Sequence, residues 1–188
     1  MRVNIVGTSG SGKTTFGRKL AEVLEVPFIE MDAIFWGPDW SCLEDEHFFQ
    51  ILSKALEGED WVLDGGYSRT TPIKWSRAQA VVWLDFNFPR TLYQAVTRAV
   101  SRLLTKEELW PGTGNRETLA KLFSKDSIVL WTIASFARKR RKLPEVMASA
   151  EFRHIKFHRL RTPRQAEVFL REVKDHPGML ISSPAAKG

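Results

Sequence analysis

Between positions 7 and 14 the chain reads Gly7-Thr8-Ser9-Gly10-Ser11-Gly12-Lys13-Thr14. Glycines, a lysine and a hydroxyl residue stand there at the spacing G-x-x-x-x-G-K-[ST]. Each residue type has a physical reason to be present. Glycine reaches backbone conformations that a Cβ blocks, so successive N–H groups can turn inward around phosphate oxygens. A helix opening at about Gly12 adds the positive end of its dipole. Lys13 supplies a point charge for the β- and γ-phosphates and the Thr14 hydroxyl can ligate Mg²⁺, with Thr15 beside it at the helix start. A plainer reading is a glycine turn followed by a solvated lysine. The full pattern, placed directly after a short apolar run, decides for binding of a nucleoside triphosphate.

Further candidates stand where apolar runs end. Trp61-Val62-Leu63 leads into Asp64-Gly65-Gly66-Tyr67-Ser68-Arg69. An acid at the C-terminal end of a parallel strand faces the ligand side of the sheet. There Asp64 can hold Mg²⁺ through water or orient an attacking group. The paired glycines allow a tight turn that presents Arg69, whose planar fork suits a phosphate or carboxylate; an Asp-Gly turn with a surface arginine is the bland alternative. Asp85 follows Val81-Val82-Trp83-Leu84 and competes for the metal role, but it also stands where it could cap a helix beginning near Pro89. Asp64 is preferred because the glycine turn and Arg69 accompany it. Asp32, shortly before Phe35-Trp36, could bind an acceptor hydroxyl or base, or merely end a strand above core aromatics. Trp36 and Trp40 flank Gly37-Pro38 and suit a pocket wall as well as a core.

Arg98 and Arg102 lie four residues apart and share a helix face, either around a common anion or as a solvated basic surface. The densest charge run is Arg138-Lys139-Arg140-Arg141-Lys142. Positions 138, 141 and 142 share a face, so Arg138 or Arg141 could reach a phosphate site while the rest stay solvated or meet a polyanion. No aromatic residue interleaves this run, which weakens a single-strand nucleic-acid reading. His47, His154, His158 and His176 are scattered, and Cys42 lies near none of them at a metal-ligand spacing, so no zinc site is supported. No Ser-His-Asp arrangement can be argued. Catalysis would rest on positioning and charge stabilisation.

These residues need a scaffold that gathers strand ends. Strands are expected at Arg2–Val6, Pro27–Met31 (ending at Asp32), Trp61–Leu63, Ala80–Leu84 and His154–His158, from short apolar or β-branched runs. Helices are expected over Lys13–Val26, Glu44–Leu56, from Pro89 towards Leu104, Asp126–Lys142 and Pro163–Val173, from apolar spacing of three and four. Residues 105–124 have poor periodicity and contain Trp110-Pro111-Gly112-Thr113-Gly114, which predicts a lid-like insertion or a mobile loop. Residues 176–188 are expected to form a flexible tail. Strands alternating with helices, several too apolar for a wet face, imply one α/β domain over 1–175 with a parallel sheet covered on both sides.

The bulk properties agree. The chain has 188 residues, 43% of them apolar, enough for one sizeable core. A single cysteine excludes a disulfide framework and suits a reducing compartment. No apolar run approaches the ~20 residues that span a bilayer and no signal-peptide pattern opens the chain, so a cytoplasmic protein is expected. A net charge of +6 favours anionic partners, phosphates or nucleic acid.

With these motifs in view, the chain resembles the adenylate-kinase-like branch of P-loop kinases. More closely, it resembles the small bacterial proteins called DNA topology modulation proteins or adenylate-kinase-related kinases. The likeness rests on Gly7 to Thr14, Met31-Asp32-Ala33-Ile34-Phe35-Trp36, Asp64 to Arg69 and Trp131 to Lys142. It implies the P-loop NTPase three-layer fold with a five-stranded parallel sheet and a lid-like insertion. It also implies Mg²⁺-ATP as donor and a nucleoside monophosphate or other small molecule as acceptor. Lys13, Asp64, Arg98, Arg102, Arg138 and Arg141 fall at its catalytic positions, and Thr14 and Asp64 on the metal side. Arg161 resembles the loop that borders the adenine ring. Asp32, Trp36 and Arg69 fall on the acceptor side, and Asp32 is similar to a substrate-binding acid of shikimate and gluconate kinases. Where nucleoside monophosphate kinases carry Asp-Gly-Phe-Pro-Arg, this chain has Asp64-Gly65-Gly66-Tyr67-Ser68-Arg69. The competing reading is a nucleotide-dependent DNA- or RNA-binding regulator whose basic run contacts phosphates.

Overall fold

A computed structural model describes residues 1–118 and 128–181. Its strands are β1 (Arg2–Gly7), β2 (Phe28–Glu30), β3 (Trp61–Asp64), β4 (Ala80–Leu84) and β5 (Lys156–Leu160). They form one five-stranded sheet, parallel throughout, in the order β2-β3-β1-β4-β5. The helices are α1 (Lys13–Leu24), α2 (Met31–Phe35), α3 (Asp45–Ala55), α4 (Thr71–Arg77), α5 (Phe88–Thr105), α6 (Ile128–Met147) and α7 (Pro163–Asp175).

Strand alternation divides the core. Val3, Ile5, Val62, Ala80, Val82 and Leu84 point to one face, where Phe16 and Leu20 of α1 and Phe169 and Val173 of α7 cover them. Val6, Trp61, Leu63, Val81 and Trp83 point to the other, against Phe48 and Leu52 of α3 and Trp75 of α4. Both faces are dry, which explains why the strands read as nearly continuous apolar runs. The register pairs Gly7 with Leu84, Ile5 with Asp64 and Glu30 with Asp64. The C-terminal strand ends therefore lie side by side along one edge.

Several boundaries differ from the sequence expectation. The second strand stops at Glu30, and Met31–Phe35 coils into α2 because Met31 and Phe35, four apart, both sink into the core. Asp32 thus sits in the first turn of a helix rather than at a strand end. β5 begins two residues later than expected, since Lys156 pairs with Ala80 and Leu160 with Leu84. His154 precedes it and bonds the Trp75 carbonyl at 3.0 Å. α4 lies between β3 and β4, where no helix was expected; Pro72 stands in its first turn and Trp75 anchors it. α6 runs past Lys142 and through Pro144 to Met147, with Leu143, Val146 and Met147 packed on the core. The start expected for it at Asp126 lies outside the described residues.

The insertion is folded where it is described. Glu108 bridges Arg116, and the Leu109 N–H bonds the Asn115 carbonyl at 2.9 Å. Asn115 is buried and docks this hairpin on the loop after α2: its Nδ2 donates to the Gly37 carbonyl at 2.8 Å and its Oδ1 accepts from the Trp40 N–H at 2.9 Å. Residues 106–118, part of the insertion expected over 105–124, thus pack on the loop after α2; residues 119–124 lie outside the described residues. The expected tail is likewise packed as far as Ile181, because Leu180 is fully buried and its carbonyl meets His158 Nε2 at 3.0 Å. Residues 182–188 lie outside the described residues. No helix among the described residues is long and apolar enough to cross a membrane.

Candidate functional site

Gly7 to Thr14 wraps the start of α1 directly beyond β1. Gly10 holds φ +83°, and a Cβ there would lie 2.7 Å from the Thr91 carbonyl and 2.9 Å from Ala95 Cβ, so only glycine lets the loop close against α5. No side chain caps the N-terminus of α1 at Gly12, leaving the first-turn N–H groups for an anion. Ser11 Oγ is buried in the loop without a hydrogen-bond partner. Lys13 Nζ donates to the Thr8 carbonyl at 3.2 Å. Thr132 of α6 reaches the Ser9 carbonyl at 3.4 Å from the other side. Thr8 is buried, Ser9 and Thr14 are half-buried, and Thr15 is exposed on α1.

Asp64 meets this loop from the end of β3. Thr14 Oγ1 donates to its Oδ2 at 2.5 Å, while its Oδ1 is buried without a partner. Burial pushes the carboxyl pKa up, Lys13 and the Thr14 hydrogen bond pull it down, and Asp32 raises it again. An acid so placed gains most from a nearby cation. The orphaned oxygen and the threonine hydroxyl are hard donors that fit Mg²⁺.

The turn after Asp64 is braced from below. A Cβ on Gly65 would overlap the Met31 side chain, so the close approach of α2 demands glycine. Asn4 of β1, fully buried, donates to the Leu63 carbonyl at 3.0 Å and the Gly65 carbonyl at 3.2 Å, and accepts from the Trp75 indole at 2.9 Å. Lys74 of α4 is also fully buried, its Nζ donating to the carbonyls of Gly65 at 3.2 Å and Tyr67 at 3.1 Å. Burial, and next the charge of Lys139, lower its pKa to about 7.

Above the turn, the Tyr67 hydroxyl donates to Asp32 Oδ1 at 2.6 Å. Burial, then the charge and hydrogen bond of Asp32, push the phenol pKa far up. Arg69 stacks 5.1 Å from the Phe35 ring centroid and pairs with Asp45 at 3.1 Å. It stands at the rim of the Asp32–Tyr67 pair, half-exposed. Trp36 and Trp110 stack at 6.1 Å between centroids, and Trp40 meets both edge-on at 5.9 Å. The Trp36 indole faces Tyr67, and that of Trp110 faces Glu30. Glu30 pairs with Arg18 at 2.9 Å; burial and then the charges of Asp64 and Asp32 raise its pKa. Arg98 faces the same acids from α5: burial and Arg102 lower its pKa, against the pull of Asp32, Asp64 and Glu117. Both arginines are half-buried.

Asp85 does not cap α5 as one expectation had it. Asn87, not Asp85, caps α5, its side chain accepting from the Arg90 N–H at 3.0 Å. Asp85 is buried between Arg159, at 2.9 and 2.5 Å, and Arg140, at 3.1 Å. Both of its oxygens are held by guanidinium groups, whereas Asp64 Oδ1 has no partner. Of the basic run, Arg140 thus closes on the sheet edge and Lys139 is half-buried, whereas Arg138 and Arg141 are exposed. Lys139 lies in the field of Lys13 and Asp32, and burial with Lys13 lowers its pKa to about 8. Arg161 is exposed just beyond β5, its backbone N–H held by Gln165 at 2.7 Å.

The structure therefore brings together Lys13, Thr14, Asp32, Asp64 and Arg98 along one crevice, places Arg102 beside Arg98 on α5, and leaves Arg141 on the surface. Sequence reasoning missed Asn4, Lys74, Trp110, Asn115 and Lys139. Lys74 had one readable signal, its spacing of four from Thr70 and Ala78, both buried.

Residues 9–36 match the shikimate kinase family model. The shikimate kinase of Symbiobacterium thermophilum is 33% identical over 108 residues, covering 50% of this chain and 62% of that protein. The cytidylate kinase of Maridesulfovibrio salexigens is 30% identical over 71 residues, covering 37% of this chain and 32% of that one. The chain thus spans less than two thirds of the length of these relatives. The crystal structure of a shikimate kinase from Bacteroides thetaiotaomicron superposes with a TM-score of 0.54 over 93% of this chain and 97% of that chain, at 15% identity. That likeness shows the fold: the α/β, P-loop NTPase arrangement with a five-stranded parallel sheet.

Proposed function

We propose that the protein is a P-loop kinase that transfers the γ-phosphoryl group of ATP to a hydroxyl of a small polar acceptor. The observation that carries this reading is the Thr14–Asp64 hydrogen bond beneath the loop, with the second oxygen of Asp64 unpartnered and Asp32 across the same crevice. Gly7, Thr8, Ser9, Gly10, Ser11 and Gly12 would cradle the phosphates, with Thr15 flanking them and Arg161 bordering the base. Lys13 would turn from the Thr8 carbonyl to the β- and γ-oxygens. Thr14 and Asp64 would hold Mg²⁺, which when bound neutralises charge on the phosphate oxygens. Arg98 faces the acids across which charge shifts during transfer, and Arg102 stands beside it on α5.

The acceptor side favours a hydroxylated molecule over a nucleoside monophosphate. Asp32 presents a carboxylate fixed by Tyr67, which accepts a hydroxyl proton but repels a phosphate. Shikimate kinase relatives carry the same implication by name, and Arg69 at the rim would meet a carboxylate on such an acceptor. Trp36 supplies an apolar wall. The alternative, a nucleotide-dependent DNA- or RNA-binding regulator of the topology-modulation type, rests on the basic run, of which Arg140 pairs with the buried Asp85, Lys139 is half-buried, and Arg138 and Arg141 are exposed.

The test is ADP release from Mg²⁺-ATP against a panel of hydroxy acids, polyols, nucleosides and nucleoside monophosphates, with Lys13→Ala as control. Stimulation by a hydroxylated acceptor, lost in the variant, is expected. Only slow, acceptor-independent hydrolysis, together with steeply salt-dependent duplex binding, would overturn the reading in favour of the regulator.

A further inference from the structure

α6 is tied to the ligand edge at two points. Thr132 reaches the phosphate loop at the Ser9 carbonyl, and Arg140 closes on Asp85 at the end of β4. Lys139 precedes Arg140 and is turned about 100° from it around the helix, towards the crevice. It is half-buried, unlike Arg138 and Arg141. The groups that face its ammonium are Lys13 from α1, Asp32 from α2, Lys74 from α4 and Arg138 on its own helix. Three of these repel it. Half-burying a cation among cations is unfavourable unless an anion joins them. The space between Lys13, which serves the donor phosphates, and Asp32, which serves the acceptor, is where a transferring group must pass.

We propose that Lys139 is the α6 residue that contacts the γ-phosphoryl group, and that the Arg140–Asp85 pair is its positioner. This rests on the kinase reading above. In the transfer, the γ-phosphorus loses its bond to the β–γ bridging oxygen, which leaves on ADP. It gains a bond to the acceptor oxygen, whose proton passes to Asp32. Negative charge spreads over the three remaining oxygens meanwhile, and the Lys139 ammonium donates to them. On the same helix Arg138 and Arg141 are exposed, whereas Lys139 is half-buried.

Titration calorimetry of the full chain with Mg²⁺-ADP and with the non-hydrolysable Mg²⁺-AMPPNP tests this without an acceptor. In Lys139→Met, affinity for AMPPNP should fall about ten- to a hundred-fold, the range for a lost charge-assisted hydrogen bond, with ADP affinity nearly unchanged. Lys139→Arg should restore the preference for AMPPNP. In the wild type that preference should decline as pH rises past about 8, and stay flat in Lys139→Arg. Asp85→Asn should lower it partly, and Lys139→Gln stands in should Lys139→Met not fold. Equal losses for both nucleotides, no loss, or no rescue by arginine would overturn the assignment of Lys139 and leave the kinase reading intact. Failure of the wild type to bind either nucleotide would overturn the kinase reading itself.

Discussion

Replacing Lys74 with methionine separates what this buried lysine costs from what it positions. The ammonium is fully buried and bonded to two carbonyls, and its pKa falls from the ordinary 10.5 to about 7 in the folded chain. Because the folded value lies below the unfolded one, the unfolded chain binds the extra proton between those limits. Stability from this group is therefore full above the unfolded pKa and lost as pH falls towards the folded one. The slope is slightly over roughly 1 kcal/mol per pH unit, so the wild type should gain about 3 kcal/mol on Lys74→Met between about pH 7 and pH 9.5. Urea unfolding of both proteins across that range reads it directly, since titrations elsewhere cancel. Parallel stability curves would refute the reasoning, for they would mean that Lys74 keeps its proton in the fold. Lys74→Met should also loosen the Gly65–Tyr67 turn, seen as faster hydrogen exchange of its amides at neutral pH.

Trp110→Ala should release the insertion from the acceptor arm, costing about 2–3 kcal/mol, below the full core range because a surface hairpin can relax. The near-UV circular dichroism of the stacked Trp36–Trp110 pair should vanish with it, and an unchanged spectrum would contradict the docking. Asp32→Asn should let Tyr67 ionise at lower pH than in the wild type, because it removes the charge that opposes the phenolate. Phenolate absorbance during an alkaline titration checks this, and identical titration curves would break the Tyr67–Asp32 link.

Legibility followed locality. The loop from Gly7 to Thr14 and the strands β1, β3 and β4 were readable because their causes lie within a few residues: turn geometry, a helix start, dry faces on both sides. Asp64 was readable because a strand end fixes where its side chain goes. Asp85 has the same local pattern and a different fate, decided by Arg140 and Arg159 from elements 55 and 74 residues away. Trp110 and Asn115 lie in a stretch without periodicity, and only their partners at Gly37, Trp36 and Trp40 give them a role. Lys74 was hidden by its type, since a lysine in a short helix is ordinarily solvated. In the basic run, the order of charges gave no sign of which would face inward, because that depends on how the Asp85–Arg140 contact rotates α6.

The same contacts change what the positive net charge means. Read as a sum, +6 favours any polyanion. Read by position, much of the positive charge near the sheet edge answers carboxylates held there. Arg18 pairs with Glu30, Arg140 and Arg159 with Asp85, and Lys13 acts on Asp64. A surface that binds duplex phosphates needs its cations exposed and spaced along a face. Here Lys13, Lys74 and Lys139 converge at half-buried or buried depth around Asp32 and Asp64, where they repel one another. Such convergence is unfavourable without a compact anion inside it and favourable with one, because charges act more strongly in a partly dry crevice than at a wet surface. The excess charge is thus best spent on a small phosphate group enclosed at the ends of the strands.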